Sequence, residues 1–290
     1  MGDIESELEP EPGRPQLIHA RSLQAWFCSW QGQHAESERL WRLCLKENNA
    51  VYYETHVDSL IYESNITTAL INQEKYAEAE LLLTQNLKHR ISIRGNEHPD
   101  TIQTQQILAG AYQKQGKFAK AEELNQKLLE IANRVQGPEH PDTLVIINNL
   151  AINLTALGRF SEAEAMQRCL LASNERQFGS EHEQVMLSRL NLAVTLEKLG
   201  KYATAEEQNK LALAAHKKLF GEDHPDVFTS QYNLAHLLHD MEECTEARQL
   251  YEKAFAGLRR RLGDDHPITR ECKENFSVCK KVEIADVSEI

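Results

Sequence analysis

Apolar residues in this chain recur at helical spacing in short blocks. In the block from 143 to 158, residues such as Ile146, Leu150 and Leu154 fall three or four positions apart and place a wide apolar stripe on one side of a helix. Gly158 ends this block, and a second block of the same kind begins at about residue 161. Since glycine suits the position just after a helix, the pattern predicts two helices joined by a tight turn.

The two-helix pattern has a fixed period. A linker of the form Gly-x-x-His precedes the first helix of each pair, and its glycines stand 42 residues apart at Gly95, Gly137, Gly179, Gly221 and Gly263. Small residues recur with the same period and lie twelve residues apart within each pair, as do Ala151 and Ala163. A period of this size is typical of stacked repeat proteins, in which each unit packs only on its neighbours.

We therefore predict an all-α fold, an α-solenoid of about six helix pairs followed by a capping helix. The predicted array covers residues 16–266, and the capping helix covers 267–282. Residues 1–15 are acidic and rich in proline, so we expect a disordered tail there, and we expect a second tail at 283–290. The predicted repeats are approximately 16–56, 57–98, 99–140, 141–182, 183–224 and 225–266.

Composition narrows the classes of partner. The formal net charge of the chain is −12, and an acidic surface repels phosphate backbones and anionic lipid. We therefore expect neither a nucleic acid nor a membrane as a partner. No apolar run reaches the roughly 18 residues that a membrane span needs. The six cysteines show neither disulfide-framework nor zinc-site spacing, which favours reduced thiols and a cytoplasmic location.

Several of these motifs resemble a known family. The alanines twelve residues apart, the Gly-Lys-Phe turn at Gly116, the Gly-Lys-Tyr turn at Gly200 and the Asn-Leu-Ala segment at 149–151 are similar to tetratricopeptide repeats. The 42-residue period and the His-Pro-Asp linker resemble the long repeats of kinesin light chains. The resemblance covers residues 50–268 well and 16–49 weakly. It implies a right-handed superhelix whose first helices line a concave groove that holds an extended peptide.

The resemblance also implies candidate residues in that groove. In the relatives, an asparagine just before Leu-Ala clamps the peptide backbone, which a carboxamide can do because it both donates and accepts hydrogen bonds. The alternative is that these asparagines bond neighbouring helices. The matching positions are Asn65, Asn149, Asn191 and Asn233, whereas Leu23 and Ile107 depart from the pattern. Helical spacing adds further predicted groove residues: Gln106, Gln113, Asn148, Glu197, the adjoining Lys198, Tyr232, His236 and His239.

The last of these residues suggest other chemistry. Tyr232, His236 and His239 share one helical face near Glu197, and such a group could act in acid–base catalysis. His236 and His239 could also supply two metal ligands, but no third ligand is evident from the sequence. We expect the bland outcome, in which the groove contacts a ligand and the chain has no catalytic residue, no bound metal and no cofactor.

The expected function is a non-enzymatic scaffold that binds an extended peptide or protein segment in its groove, as a monomer or a weak homodimer. One alternative is a small-molecule binder or enzyme that uses the Tyr, His and Glu cluster. Another is the sensor array of a larger signalling protein. Trp26 and Trp30 lie in the irregular first unit, and we expect them to cover the open end of the array, with stacking on a ligand as the alternative.

Overall fold

A computed structural model describes residues 14–50, 52 and 56–287. Within these residues the chain forms thirteen α-helices and no strand, so the predicted all-α class of six helix pairs and one further helix is confirmed. The predicted tail at 1–15 and the chain end at 288–290 lie almost wholly outside the described residues. The helices are α1 (Arg14–Trp30), α2 (His34–Asn49), α3 (Val57–Asn72), α4 (Tyr76–Arg94), α5 (Pro99–Lys114), α6 (Phe118–Val135), α7 (Pro141–Ala156), α8 (Phe160–Phe178), α9 (Glu183–Lys198), α10 (Tyr202–Phe220), α11 (Pro225–Asp240), α12 (Cys244–Leu262) and α13 (Pro267–Val287).

The helices fall into two compact units. Unit 1 comprises residues 1–138 and contains α1 to α6, and unit 2 comprises residues 139–290 and contains α7 to α13. Within each unit, every helix packs mainly on the helix before it and the helix after it. This pattern of contacts between sequence neighbours is what stacked helical hairpins produce. Among the described helices, none combines the length and the apolar character that crossing a bilayer requires.

The linker histidines directly precede the first helices of the second to sixth pairs and cap their N-termini. In each of them Nδ1 accepts a hydrogen bond from the backbone N–H two residues later, at 3.2 to 3.3 Å, and the residues are His56, His98, His140, His182 and His224. This bond satisfies one of the N–H groups that a helix start leaves without an intrahelical partner. Pro141 then occupies the first turn, where its missing N–H costs no helical bond. These histidines therefore have a structural role, as caps of the helices that follow them.

The turn between the two helices of a pair needs a residue with a left-handed backbone. Gly116 and Gly200 supply it, each with φ of 71°. In the second and sixth pairs the same position holds a side chain, and Glu74 and Glu242 adopt φ of 59° and 64°. A side chain in this conformation costs about 1 kcal/mol or more relative to the right-handed region. These two turns are therefore locally strained.

The recurring small residues lie where the two helices of a pair approach closely. Ala109 and Ala121 in unit 1, and Ala151 and Ala163 in unit 2, are fully buried. Because their side chains end at Cβ, the helices can pack at short distance, as the twelve-residue spacing predicts.

Ion pairs connect the second helices of successive pairs. In unit 1 the Lys75 ammonium lies 3.1 Å from Glu38, and the Lys117 ammonium lies 2.6 Å from Glu80. The hydrogen bond from Lys117 lowers the pKa of Glu80 below its ordinary value. In unit 2, Lys201 pairs with Glu164 in the same way at 2.6 Å. Each of these lysines stands 37 residues after its glutamate, and the pairs occupy equivalent positions of the 42-residue repeat.

The two terminal helices differ from their sequence predictions. Helix α13 begins at Pro267 as predicted but continues to Val287, beyond the predicted end at 282. Its Cys272, Phe276 and Cys279 are buried in the same core cluster as Tyr251. At the other end, Trp26 and Trp30 are 64% and 75% exposed, so the prediction that they cover the end of the array is wrong. Both lie on an outer surface of α1, since the buried side of this helix is formed by smaller residues such as Ala25 and Cys28.

Candidate binding face on the first helices

The first helices of the pairs in unit 2 lie side by side. Helix α7 contacts α9, and α11 contacts α13. Helices α9 and α11 meet through Glu197 and His236. We call the surface shared by α7, α9, α11 and α13 the first-helix face of unit 2. It carries most of the residues that the sequence nominates for ligand binding.

Two asparagines tie neighbouring first helices together on this face. Asn191 Nδ2 on α9 donates to Asn148 Oδ1 on α7 at 2.9 Å, and Asn275 Nδ2 on α13 donates to the Tyr232 hydroxyl on α11 at 2.8 Å. Asn191 stands at a predicted clamp position, and Asn275 stands 42 residues after another, Asn233. In both pairs the acceptor is the residue just before the clamp position of the preceding repeat. At these two places the alternative reading of the sequence, a bond between helices, is realised.

The interhelical hydrogen bond leaves the Asn148 and Asn191 carboxamides with further donors and acceptors for a ligand. A carboxamide carries two N–H donors and an oxygen with two lone pairs, so the single bond between Asn191 and Asn148 occupies only part of both groups. Asn148, Asn149, Asn191 and Asn233 are all half-buried, with part of each residue accessible to solvent. Asn275 is not among the residues predicted from the sequence, although it stands one 42-residue period after Asn233.

The predicted groove residues of unit 1 lie on its own first helices. Asn65 lies on α3, and Gln106 and Gln113 lie on α5. All three are half-buried. Ile61 stands four residues before Asn65 and is exposed despite its apolar side chain. Unit 1 therefore presents the same register of residues as unit 2, with fewer asparagines.

A charged cluster joins α9 and α11. His236 Nδ1 lies 3.8 Å from Glu197 Oε2 and 3.9 Å from Asp240 Oδ2. Lys198 Nζ lies 2.9 Å from Oε1, the other oxygen of Glu197. One ligand atom from each of Glu197, His236 and Asp240 falls within 4.8 Å of the other two, so these three residues could hold a metal ion. The metal ligands considered from the sequence were His236 and His239, and Asp240 was not among them.

The contacts in this cluster favour charged side chains. The Glu197 carboxylate raises the pKa of His236 above its ordinary value, against the opposing effect of burial. Burial alone would raise the pKa of Glu197, but contacts with His236 and Lys198 bring it below its ordinary value. The bond to Glu197 also raises the pKa of Lys198. The group is therefore a network of opposite charges, and a general base that is free to take a proton is not what these contacts favour.

Tyr232 and His239 contribute no charged group to this cluster, although the Tyr232 ring lies edge-on to the His236 ring with centroids 6.4 Å apart. The Tyr232 side chain is buried, its hydroxyl accepts the bond from Asn275, and burial raises its pKa. The His239 ring packs edge-on against Tyr251, with ring centroids 6.3 Å apart. The structure thus brings together Glu197, Lys198 and His236, but it does not assemble the four residues Tyr232, His236, His239 and Glu197 into one open site.

An apolar cavity opens beside the asparagine pair. Its volume is about 440 Å³, and it lies among α7, α8 and α9. Val145 and Leu187 line it and are 47% and 45% exposed, and each stands four residues before a clamp asparagine. The other lining residues are Pro141, Leu144, Asn148, Leu170, Asn174, Phe178, Gln184 and Ser188. The three lining residues of α8 were not predicted from the sequence, because the predicted ligand contacts all lie on first helices.

In the described part of the chain, six consecutive helical hairpins and one further helix, with linkers and turns that repeat every 42 residues, define a helical-repeat protein. The family model for the tetratricopeptide repeat matches residues 58–125, 100–176, 147–218, 183–258 and 226–281. The chain therefore belongs to the tetratricopeptide repeat family, as its motifs predict. A comparison with curated protein sequences found no match.

Solved structures with the same fold include kinesin light chain-like proteins. A predicted kinesin light chain of nearly identical TPR-like repeats from Podosopora anserina is 24% identical, with a TM-score of 0.62 over 71% of this chain and 98% of that one. BtubC (BKLC) from P. vanneervenii is 21% identical, with a TM-score of 0.60 over 86% and 94%. The Rap conjugation gene regulator of plasmid pLS20, in complex with the Phr* peptide, is 15% identical, with a TM-score of 0.65 over 97% and 83%.

Proposed function

We propose that this protein is an interaction scaffold that binds an extended peptide or protein segment on the first-helix face of unit 2. The observation that carries the proposal is the cavity of about 440 Å³ beside the Asn148–Asn191 pair, with exposed Val145 and Leu187 in its lining. The cavity would receive an apolar side chain of the ligand, and the amides would pair with its main chain.

The chemistry of the cavity and of the carboxamides beside it fits an extended peptide. Binding sites are concave and mostly apolar with a few placed polar groups, and this cavity combines aliphatic residues and one aromatic ring with three carboxamides and a serine. A carboxamide both donates and accepts, so it can match a backbone amide regardless of ligand sequence. Main-chain pairing would then supply affinity, and the cavity would supply selectivity for an apolar anchor residue.

The fold neighbours support this class of ligand without identifying it. The Rap regulator of pLS20 was solved with the Phr* peptide, and another Rap protein was solved with competence and sporulation factor. At identities of 15% and 10%, they share the fold with this chain. The six free cysteines fit the cytoplasmic location that we propose for the scaffold.

The proposal can be tested with a random peptide library displayed on phage and selected on the full chain. Dissociation constants of the enriched peptides are then measured by fluorescence anisotropy for the wild type and for Leu187→Glu. We expect the variant to bind at least about tenfold more weakly, which corresponds to about 1.4 kcal/mol, because it places a charge in the apolar cavity.

A matched control is available in the same unit. Leu211 on α10 is 43% exposed, nearly the same as Leu187, but it lies on a second helix. Leu211→Glu should leave the affinity unchanged. Failure to enrich any peptide, or equal binding by both variants, would rule out this face as the binding surface.

A further inference from the structure

The charged cluster on α9 and α11 places an imidazole between two carboxylates, with one possible ligand atom from each residue within 4.8 Å of the others. We propose that Glu197, His236 and Asp240 form a binding site for a divalent transition-metal ion such as Zn²⁺. The site lies on the first-helix face of unit 2, and the proposal stands independently of peptide binding. It replaces the expectation that this chain has no metal site.

The distances between the three donor atoms are close to those of a metal site. Zinc bonds of about 2.0 to 2.2 Å place neighbouring ligand atoms of a tetrahedral site roughly 3.4 Å apart. His236 Nδ1 is 3.8 Å from Glu197 Oε2 and 3.9 Å from Asp240 Oδ2. These two distances must shorten by about half an ångström to hold an ion, and the third, between the Glu197 and Asp240 oxygens, is at most 4.8 Å and must shorten by at most about 1.4 Å. His236 and Asp240 are partly exposed, so small rotations of their side chains can supply that movement.

The donor set also suits a transition metal. An imidazole nitrogen with two carboxylate oxygens fits the ligand preference of Zn²⁺ and of neighbouring first-row ions, and three protein ligands leave a further position open. Lys198 bonds Oε1 of Glu197 and so leaves Oε2 directed at His236. Lys198 would thus orient the carboxylate without occupying the ligand oxygen.

The repeat fold itself does not explain the cluster. One period earlier, the positions of Glu197, His236 and Asp240 hold Thr155, Val194 and Lys198. Those residues cannot provide an equivalent donor set, yet their helices α7 and α9 still pack against each other. Stacking of the repeats therefore does not require an imidazole between two carboxylates at this place.

Calorimetric titration with ZnCl₂ tests the site. The full chain is stripped with EDTA and carries Cys169→Ser, since Cys169 is an exposed thiol that could bind zinc. We expect one equivalent of Zn²⁺ to bind, and we expect His236→Val and Asp240→Asn each to weaken binding about 100-fold or more. His236→Val introduces the residue of the preceding repeat, so it is compatible with the fold. Melting without metal checks that each variant is folded.

A neighbouring histidine supplies the control. His239 lies on the same helix but packs against Tyr251, so His239→Asn should bind Zn²⁺ like the wild type. With Co²⁺ as probe, visible absorption bands should appear in the wild type and in His239→Asn and disappear in His236→Val. The proposal is overturned if no stoichiometric binding occurs, if His236→Val and Asp240→Asn bind like the wild type, or if His239→Asn loses binding equally.

Discussion

His216 links the stability of unit 2 to pH. This histidine on α10 is only 6% exposed, and its Nδ1 lies 2.7 Å from the Ser230 hydroxyl on α11. One period earlier, Asn174 donates to Ser188 at 2.8 Å in the same register. The substitution His216→Asn therefore keeps a bond that the fold already uses, and it removes the titratable group.

The sign of the effect follows from burial. Desolvation lowers the pKa of His216 in the folded protein, whereas the unfolded chain retains an ordinary value of about 6.5. The unfolded chain therefore binds a proton more readily, and stability falls as the pH drops from about 6.5 towards the lowered folded pKa. One proton limits the slope to about 1.4 kcal/mol per pH unit. The nearby charged groups Asp226, His224 and Glu183 are present in both proteins.

The free energy of unfolding of His216→Asn should be lower than that of the wild type by an amount that does not vary with pH. The variant should also lack the pH dependence that His216 causes. Asparagine lacks the imidazole ring, whose centroid lies 5.9 Å from that of Phe220, and such a ring contact contributes roughly 0.5 to 1.5 kcal/mol. His216→Asn should thus be less stable by about 1 kcal/mol at pH 7.5. This difference should shrink as the pH falls from 7 to 5, because only the wild type loses stability through His216.

Urea denaturation followed by circular dichroism, at half-unit steps from pH 7.5 to 5, measures the difference. The reverse change Asn174→His should add a pH dependence of the same sign one repeat earlier, since it buries a new imidazole. If the stabilities of the wild type and of His216→Asn fall in parallel over this range, the buried imidazole is not linked to stability and the reasoning is refuted.

Comparison of equivalent positions in the repeats predicts the effects of three further substitutions on stability, and thermal melting measures each effect. Glu242→Gly should stabilise the chain by up to about 1 kcal/mol, because glycine tolerates the left-handed turn that Glu242 now occupies, and an unchanged or lower Tm would contradict this. Gly200→Ala should destabilise it by a similar amount at φ of 71°, and a neutral result would show that the turn can relax. Glu243 occupies the position that Lys201 occupies in the preceding repeat. Glu243→Lys should therefore form an ion pair with Glu206 and raise the stability by up to about 1 kcal/mol at low salt. High salt should abolish this increase.

Much of the fold was predictable because its signals are local. A proline in the first turn, a histidine before it and a glycine at the next turn each act within a few residues, so the starts of α7 and α11 follow from the sequence. The end of α13 was harder to predict, because no glycine or proline marks it near residue 282.

The candidate site was only partly predictable because its partners are distant in sequence. Spacing correctly places Tyr232 and His236 on one helical face, but α13 then supplies Asn275 and buries the phenol. Likewise, Asn191 matches a clamp residue by motif, yet its observed partner is Asn148 on a different helix. Helical periodicity describes one helix at a time, and it carries no information on which neighbour covers a given side chain.

Photo-crosslinking shows whether a ligand contacts the first-helix face of unit 2. A benzoylphenylalanine is introduced at position 187 on this face or at position 211 on α10, and each protein is irradiated with the same selected peptide. We expect a crosslinked product, found by mass spectrometry, for position 187 alone. Crosslinking at position 211 with none at position 187 would show that the ligand binds elsewhere.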